Sequence, residues 1–188
     1  MNRVELRQMV LAAILSALAV VLSRVFHALG GFKAGAIFLP MHIPVLLCGF
    51  LCGWKYGMLC GLLTPMIAML VSGMPSGNTL VSMEFELAAY GAAAGALSGV
   101  RWLESEEKEN GFAKIFRVVF FLILAMLIGR AVYGAVNAII LSRGDSPFTW
   151  TAFISGAFID ALPGILIQLV LIPALVMLAK KGKYLKGA

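Results

Sequence analysis

The chain has 188 residues, of which 61% are hydrophobic and only 13% charged, and its mean hydropathy is +0.97. Soluble domains run nearer half apolar and a quarter charged, so the composition excludes a soluble domain and indicates an integral membrane protein. The formal charge of +6 does not point to nucleic acid, because the basic residues gather at helix ends instead of forming a stripe.

At roughly 20 residues per span plus short loops, the length predicts about six transmembrane helices in one domain, residues 1–188. Met1 to Arg7 is a short basic start, and Met9 to His27 reads as the first helix. That apolar run is too long for a signal peptide and leads straight into further spans. It carries Ala13 and Ala17, a small-xxx-small pair that permits close helix contact. Gly30 to Gly35 reads as a loop carrying Lys33. Ala36 to Cys52 is a short second span, broken by Pro40 and Pro44 with His42 between them. Each proline removes a backbone donor. Such a break is tolerated where the freed carbonyls are buried in protein or line a cavity.

Gly53 to Gly57 is a tight turn, Met58 to Val71 the third span, and Ser72 to Asn78 an uncharged, turn-rich loop. Asn78 to Gly99 is the fourth span. One end carries Glu84 and Glu86, and the other is nearly all alanine and glycine, including Gly91-x-x-x-Gly95-x-x-x-Gly99. Arg101 to Lys114 is the most charged segment and reads as a solvated loop. Ile115 to Leu141 is the fifth span, Ser142 to Pro147 a polar loop, and Phe148 to Leu178 contains the sixth span, with Asp160 and Pro163 inside it. The tail is basic.

Six spans put both termini on one face. Arg3, Arg7, Lys55, Arg101, Lys108, Lys114, Arg117 and the lysines after Ala179 fall on that face, against Lys33 and Arg143 on the other. The asymmetry predicts cytoplasmic termini.

An ionisable group inside a span costs about 2.5–3.5 kcal/mol on insertion scales and needs a partner or a purpose. Arg24, Glu84, Glu86, Arg130 and Asp160 qualify. At about 1.5 Å rise per residue, Glu84 and Asn137 lie roughly 9 Å from the outer ends of their spans, and Arg130 and Asp160 roughly 15–18 Å. Two polar tiers are therefore expected, Glu84 with Asn137 and Arg130 with Asp160. Arg130, Tyr133 and Asn137 form one helical stripe. Glu84 and Glu86 cannot both face one cavity, and Glu84 is favoured because it shares a face with Ala88 and Gly91. An Arg130–Asp160 pair could tie two helices or floor a pocket. His42 reads as a packing residue or a ligand contact, and Trp150 as an interfacial anchor or a stacking platform.

Cys48, Cys52 and Cys60 lie in apolar surroundings without further metal ligands in reach, so they read as small core residues. No GxSxG, HExxH or GxxxxGK[ST] motif occurs, so no catalytic residues, metal or cofactor are expected, and ATP-driven transport would need another subunit.

The segment FLPMHIPVLLCGFLCGWKYGMLCGLLTP, followed by SGMPSGN and MEFELAAYG, together with six spans and an alanine motif in the first, resembles the substrate-binding S component of energy-coupling factor (ECF) vitamin transporters. The pantothenate-type branch is the most similar. The resemblance implies an all-α membrane protein with six transmembrane helices in the S-component fold typified by the riboflavin subunit, located in the bacterial cell membrane. It implies no enzyme. It implies capture of a water-soluble vitamin from outside, with pantothenate foremost and pyridoxine, folate, riboflavin or a corrinoid as alternatives. The expected partners are an energising transmembrane subunit and two cytoplasmic ATPases. The docking role falls on Ala13 and Ala17, and the pocket role on Glu84, Arg130, Tyr133, Asn137 and Asp160, with His42, Asn78 and Trp150 around them. Gly73 to Asn78 would be a lid, and transport would proceed by toppling of the subunit. A stand-alone proton-coupled permease using Asp160 or Glu84 is the main competing reading. A membrane-embedded enzyme or assembly factor is the other, and it lacks a catalytic set.

Overall fold

The computed structural model describes residues 3–99, 111–141 and 149–181. The expected loop Ser142 to Pro147, most of the charged segment Arg101 to Lys114 and the tail after Lys181 lie outside the described residues.

The described chain is helical throughout. α1 runs Arg3–Phe38, α2 His42–Cys52, α3 Trp54–Ser72, α4 Asn78–Gly99 and α5 Gly111–Leu141. A short α6, Trp150–Ile154, continues into a π-helical turn, Ser155–Ile159, and then into α7, Leu162–Lys181. Five stretches are long and apolar enough to cross a membrane: Arg3–Gly31, Lys33–Cys52, Trp54–Ser72, Gly111–Ile140 and Ser155–Ala179. α4, at 22 residues, matches them in length, but two carboxylates and many small residues keep it less apolar.

The first two spans join differently from expectation. The residues read as a loop after His27 stay helical, and the chain turns at Gly31, whose φ of 65° and ψ of −161° suit a residue without a Cβ. The second span is broken as predicted. Helix stops at Phe38, Leu39 takes φ 50°, and α2 restarts at His42, whose amide donates to the Leu39 carbonyl at 3.1 Å. Pro44 falls in the first turn of α2, where a missing N–H costs nothing because that turn has no acceptor for it.

The sixth span also departs from a single helix. Pro163 cannot donate and is accommodated in the first turn of α7. The turn before it is wound wider, with the Asp160 amide donating to the Ser155 carbonyl at 2.8 Å. Asp160 therefore sits at a helix junction and is exposed, instead of lying on a continuous helix face.

The alanine and glycine half of α4 explains the packing. A Cβ at Gly91 would collide with the carbonyl of Gly57 on α3, and one at Gly95 with the backbone of Trp54. At Gly49 of α2, a Cβ would strike the Gly91 carbonyl and the Ala94 methyl. Three helices thus approach backbone to backbone, the arrangement small residues allow inside a membrane. Among the described residues, a Cβ at Gly99 would meet nothing. Leu46, Leu87, Tyr90, Leu122 and Ile172 are fully buried around this contact. Cys48, Cys52 and Cys60 are free and buried, with the Ser16 hydroxyl donating to the Cys60 sulfur at 3.1 Å. Ile14, Val21, Phe116, Leu127, Leu166 and Val170 face outward, as suits a lipid-facing surface.

Candidate ligand-binding site

The break between α1 and α2 opens the wall of a cavity of about 220 Å³. From this break come Leu39, Pro40, Met41 and His42. α1 adds Ser23, His27, Gly35 and Ala36. The turn before α4 adds Pro75, and α4 itself adds Thr79, Met83 and Glu86. α5 contributes Arg130 and Tyr133, and the π-helical turn contributes Gly156. Irregular backbone at membrane depth is tolerated where it lines such a cavity, which is how Pro40 fits the fold.

Three charged or ionisable side chains meet at one pole. Arg130 Nη1 donates to Glu86 Oε1 at 2.7 Å, and His42 Nε2 lies 3.6 Å from the same oxygen. All three residues are buried, at 6%, 2% and 2% exposure for Arg130, Glu86 and His42. Tyr90, one turn beyond Glu86, sets its ring edge-on to His42 with centroids 5.2 Å apart, in space left by the absent side chain of Gly129. Arg130 Nη2 and both His42 ring nitrogens are buried without a hydrogen-bond partner. Buried polar atoms are normally paired, so these three mark where the cavity can still bond something.

Tyr133 and Asn137 stand on one stripe of α5, as the spacing predicted, but their surroundings differ. Tyr133 lines the cavity and stacks on Phe153, which in turn meets Trp150 edge-on. Asn137 does not line it. Its Oδ1 accepts from the Ser82 hydroxyl at 3.0 Å and its Nδ2 donates to the Tyr133 carbonyl at 2.9 Å, so it ties α4 to α5 beside the cavity.

Several expected positions are corrected. Glu86 faces the cavity and Glu84, only half-buried, does not line it. The register of α4 follows its glycines: with Gly91 against Gly57, the helix turns Glu86 towards α5. Arg130 pairs with Glu86 and not with the exposed Asp160, which the junction before α7 carries away. Asn78 is exposed and lies outside the lining, although Pro75 of the same turn is buried within it. Trp150 is 70% exposed and connects to the cavity through Phe153 and Tyr133. No expectation placed Ser23, Thr79 or Met83 in the lining, and His27, expected with Arg24 at the outer interface, lines the cavity instead. His27 and Ser23 lie four residues apart on one helix face, a signal local spacing carries, whereas the arrangement that sets Thr79 and Met83 of α4 around the same cavity is not a local property.

Among the described residues, no group of three or more histidine, cysteine or acidic side chains is placed to hold a metal ion. Closely packed apolar helices around a largely apolar cavity with a charged pole define a polytopic helical membrane protein. The chain belongs to the ECF transporter substrate-specific component family, whose model matches residues 7–177. This is a family of multi-pass transporter components, not of enzymes, and its members bind a small molecule and work with the other parts of an ECF transporter. Comparison with curated proteins and with solved structures returned no match.

Proposed function

We propose that this chain is the high-affinity vitamin-capture subunit of an ECF-type importer in a bacterial cell membrane, folded as one domain with both termini cytoplasmic. It takes a small vitamin from outside, with pantothenate as the foremost candidate, and releases it inward by toppling when docked to an energising transmembrane subunit and two cytoplasmic ATPases. The observation that carries the reading is the buried pole of the cavity, where Arg130 and His42 hold polar atoms ready for a ligand. The cavity volume of about 220 Å³ suits a pantothenate- or pyridoxine-sized molecule better than a folate, a flavin or a corrinoid. Ala13 and Ala17 are exposed on α1, consistent with a docking role. The competing proton-coupled permease would need Asp160 or Glu84 in the cavity, and neither lines it.

Mass spectrometry of the small molecule that co-purifies with the protein tests the reading. Pantothenate at close to one per chain is the expected result. A different vitamin would reassign the substrate, and an active protein that never associates with an ATPase pair would overturn the S-subunit role.

A further inference from the structure

The guanidinium at the buried pole is already paired. Arg130 is the one permanent cation among the described residues lining the cavity, and Glu86 holds its Nη1 at 2.7 Å. What remains is Arg130 Nη2, which can only donate, and the His42 ring, which carries two further polar atoms. A ligand carboxylate on Nη2 would share one guanidinium with Glu86 and set two carboxylates against a single permanent cation in a buried site. Like charges at such range in a low dielectric repel strongly. An uncharged acceptor there satisfies Nη2 without that penalty.

The cavity wall as a whole is mostly apolar, with Leu39, Pro40, Met41, Pro75 and Met83 in its lining. The cavity thus asks for a neutral group with an acceptor and a neighbouring hydroxyl, set on a compact branched hydrocarbon. Resting on the pantothenate reading above, we infer that the substrate enters with its uncharged end first. The hydroxy-amide end of pantothenate carries a carbonyl for Arg130 Nη2, a hydroxyl for His42 and two methyl groups for the apolar wall. Its carboxylate points away from Glu86 and contributes little to recognition. Glu86 is then a positioning residue, holding Arg130 and screening its charge so that the site reads shape and hydrogen bonding.

The test uses the purified full-length protein, stripped of bound ligand, with pantothenate, panthenol (the alcohol in place of the carboxylate) and β-alanine (the carboxylate half alone) in calorimetric titrations. The expected result is dissociation constants for pantothenate and panthenol within about threefold of each other, and no detectable binding of β-alanine. A carboxylate read through a charge-assisted bond would instead make panthenol weaker by about tenfold or more, which would overturn the inference while leaving pantothenate as substrate. If neither pantothenate nor panthenol binds, the substrate reading fails and the inference fails with it. His42→Phe keeps the ring volume and removes both nitrogens. It should weaken pantothenate and panthenol by the same factor, and unchanged binding of both would remove His42 from the subsite.

Discussion

Arg130 on α5 and Glu86 on α4 form a buried ion pair, 2.7 Å from Nη1 to Oε1, across the pole of the cavity. Their partnership joins two helices and neutralises the strongest charge in the site. Removing one member leaves the other charged and unpaired in the interior, which costs about 3–5 kcal/mol in comparable pairs. Glu86→Ala and Arg130→Ala should therefore each lower the unfolding midpoint in detergent sharply. The double replacement Glu86→Leu with Arg130→Met should recover most of the loss. If each single variant is as stable as the parent, the pair has no structural weight.

Asp160 offers the contrast. It is exposed at the start of α7 and lies outside the cavity lining. Asp160→Asn should leave ligand affinity unchanged and shift stability by no more than about 0.5 kcal/mol. Glu86→Gln should weaken binding markedly. Equal losses in the two variants, measured by titration, would restore Asp160 to the site.

The α3–α4 contact depends on missing side chains. Gly91→Ala places a methyl against the Gly57 carbonyl, and overpacking of this kind costs about 1–3 kcal/mol. Gly99→Ala, facing open space at the far end of the same helix, should be neutral. Thermal unfolding of both variants, monitored by retention of a monodisperse peak on size exclusion, separates a packing role for Gly91 from a general intolerance of α4 to substitution.

Ala13 and Ala17 are exposed while Ala12 and Ala19, on the adjoining face, are buried. Ala13→Trp or Ala17→Trp should leave vitamin binding by the isolated subunit intact and abolish uptake by the assembled transporter. Co-purification of the ATPases should fall in parallel. Loss of binding along with uptake would place these residues in the fold instead of at a docking surface.

The order of the spans, the alanine motif, the proline break before α2 and the convergence of Arg130, Tyr133 and His42 on one cavity were legible in the sequence. Hydropathy measures transfer into lipid, helical spacing sorts residues onto faces, and proline removes a backbone donor and so marks where a helix can break. Those are local properties, and they carry the membrane class and most of the architecture. Only the tertiary structure decided which acid meets Arg130. Glu84 and Glu86 both fit a membrane helix, and their faces differ only relative to neighbours the sequence does not place. The glycines of α4 set that rotation by pressing against Gly57 and Trp54, so Glu86 points inward. Asp160 had the right depth by residue count. The wide turn ahead of Pro163 leaves Asp160 exposed and outside the cavity lining, and no count along a regular helix could have shown that.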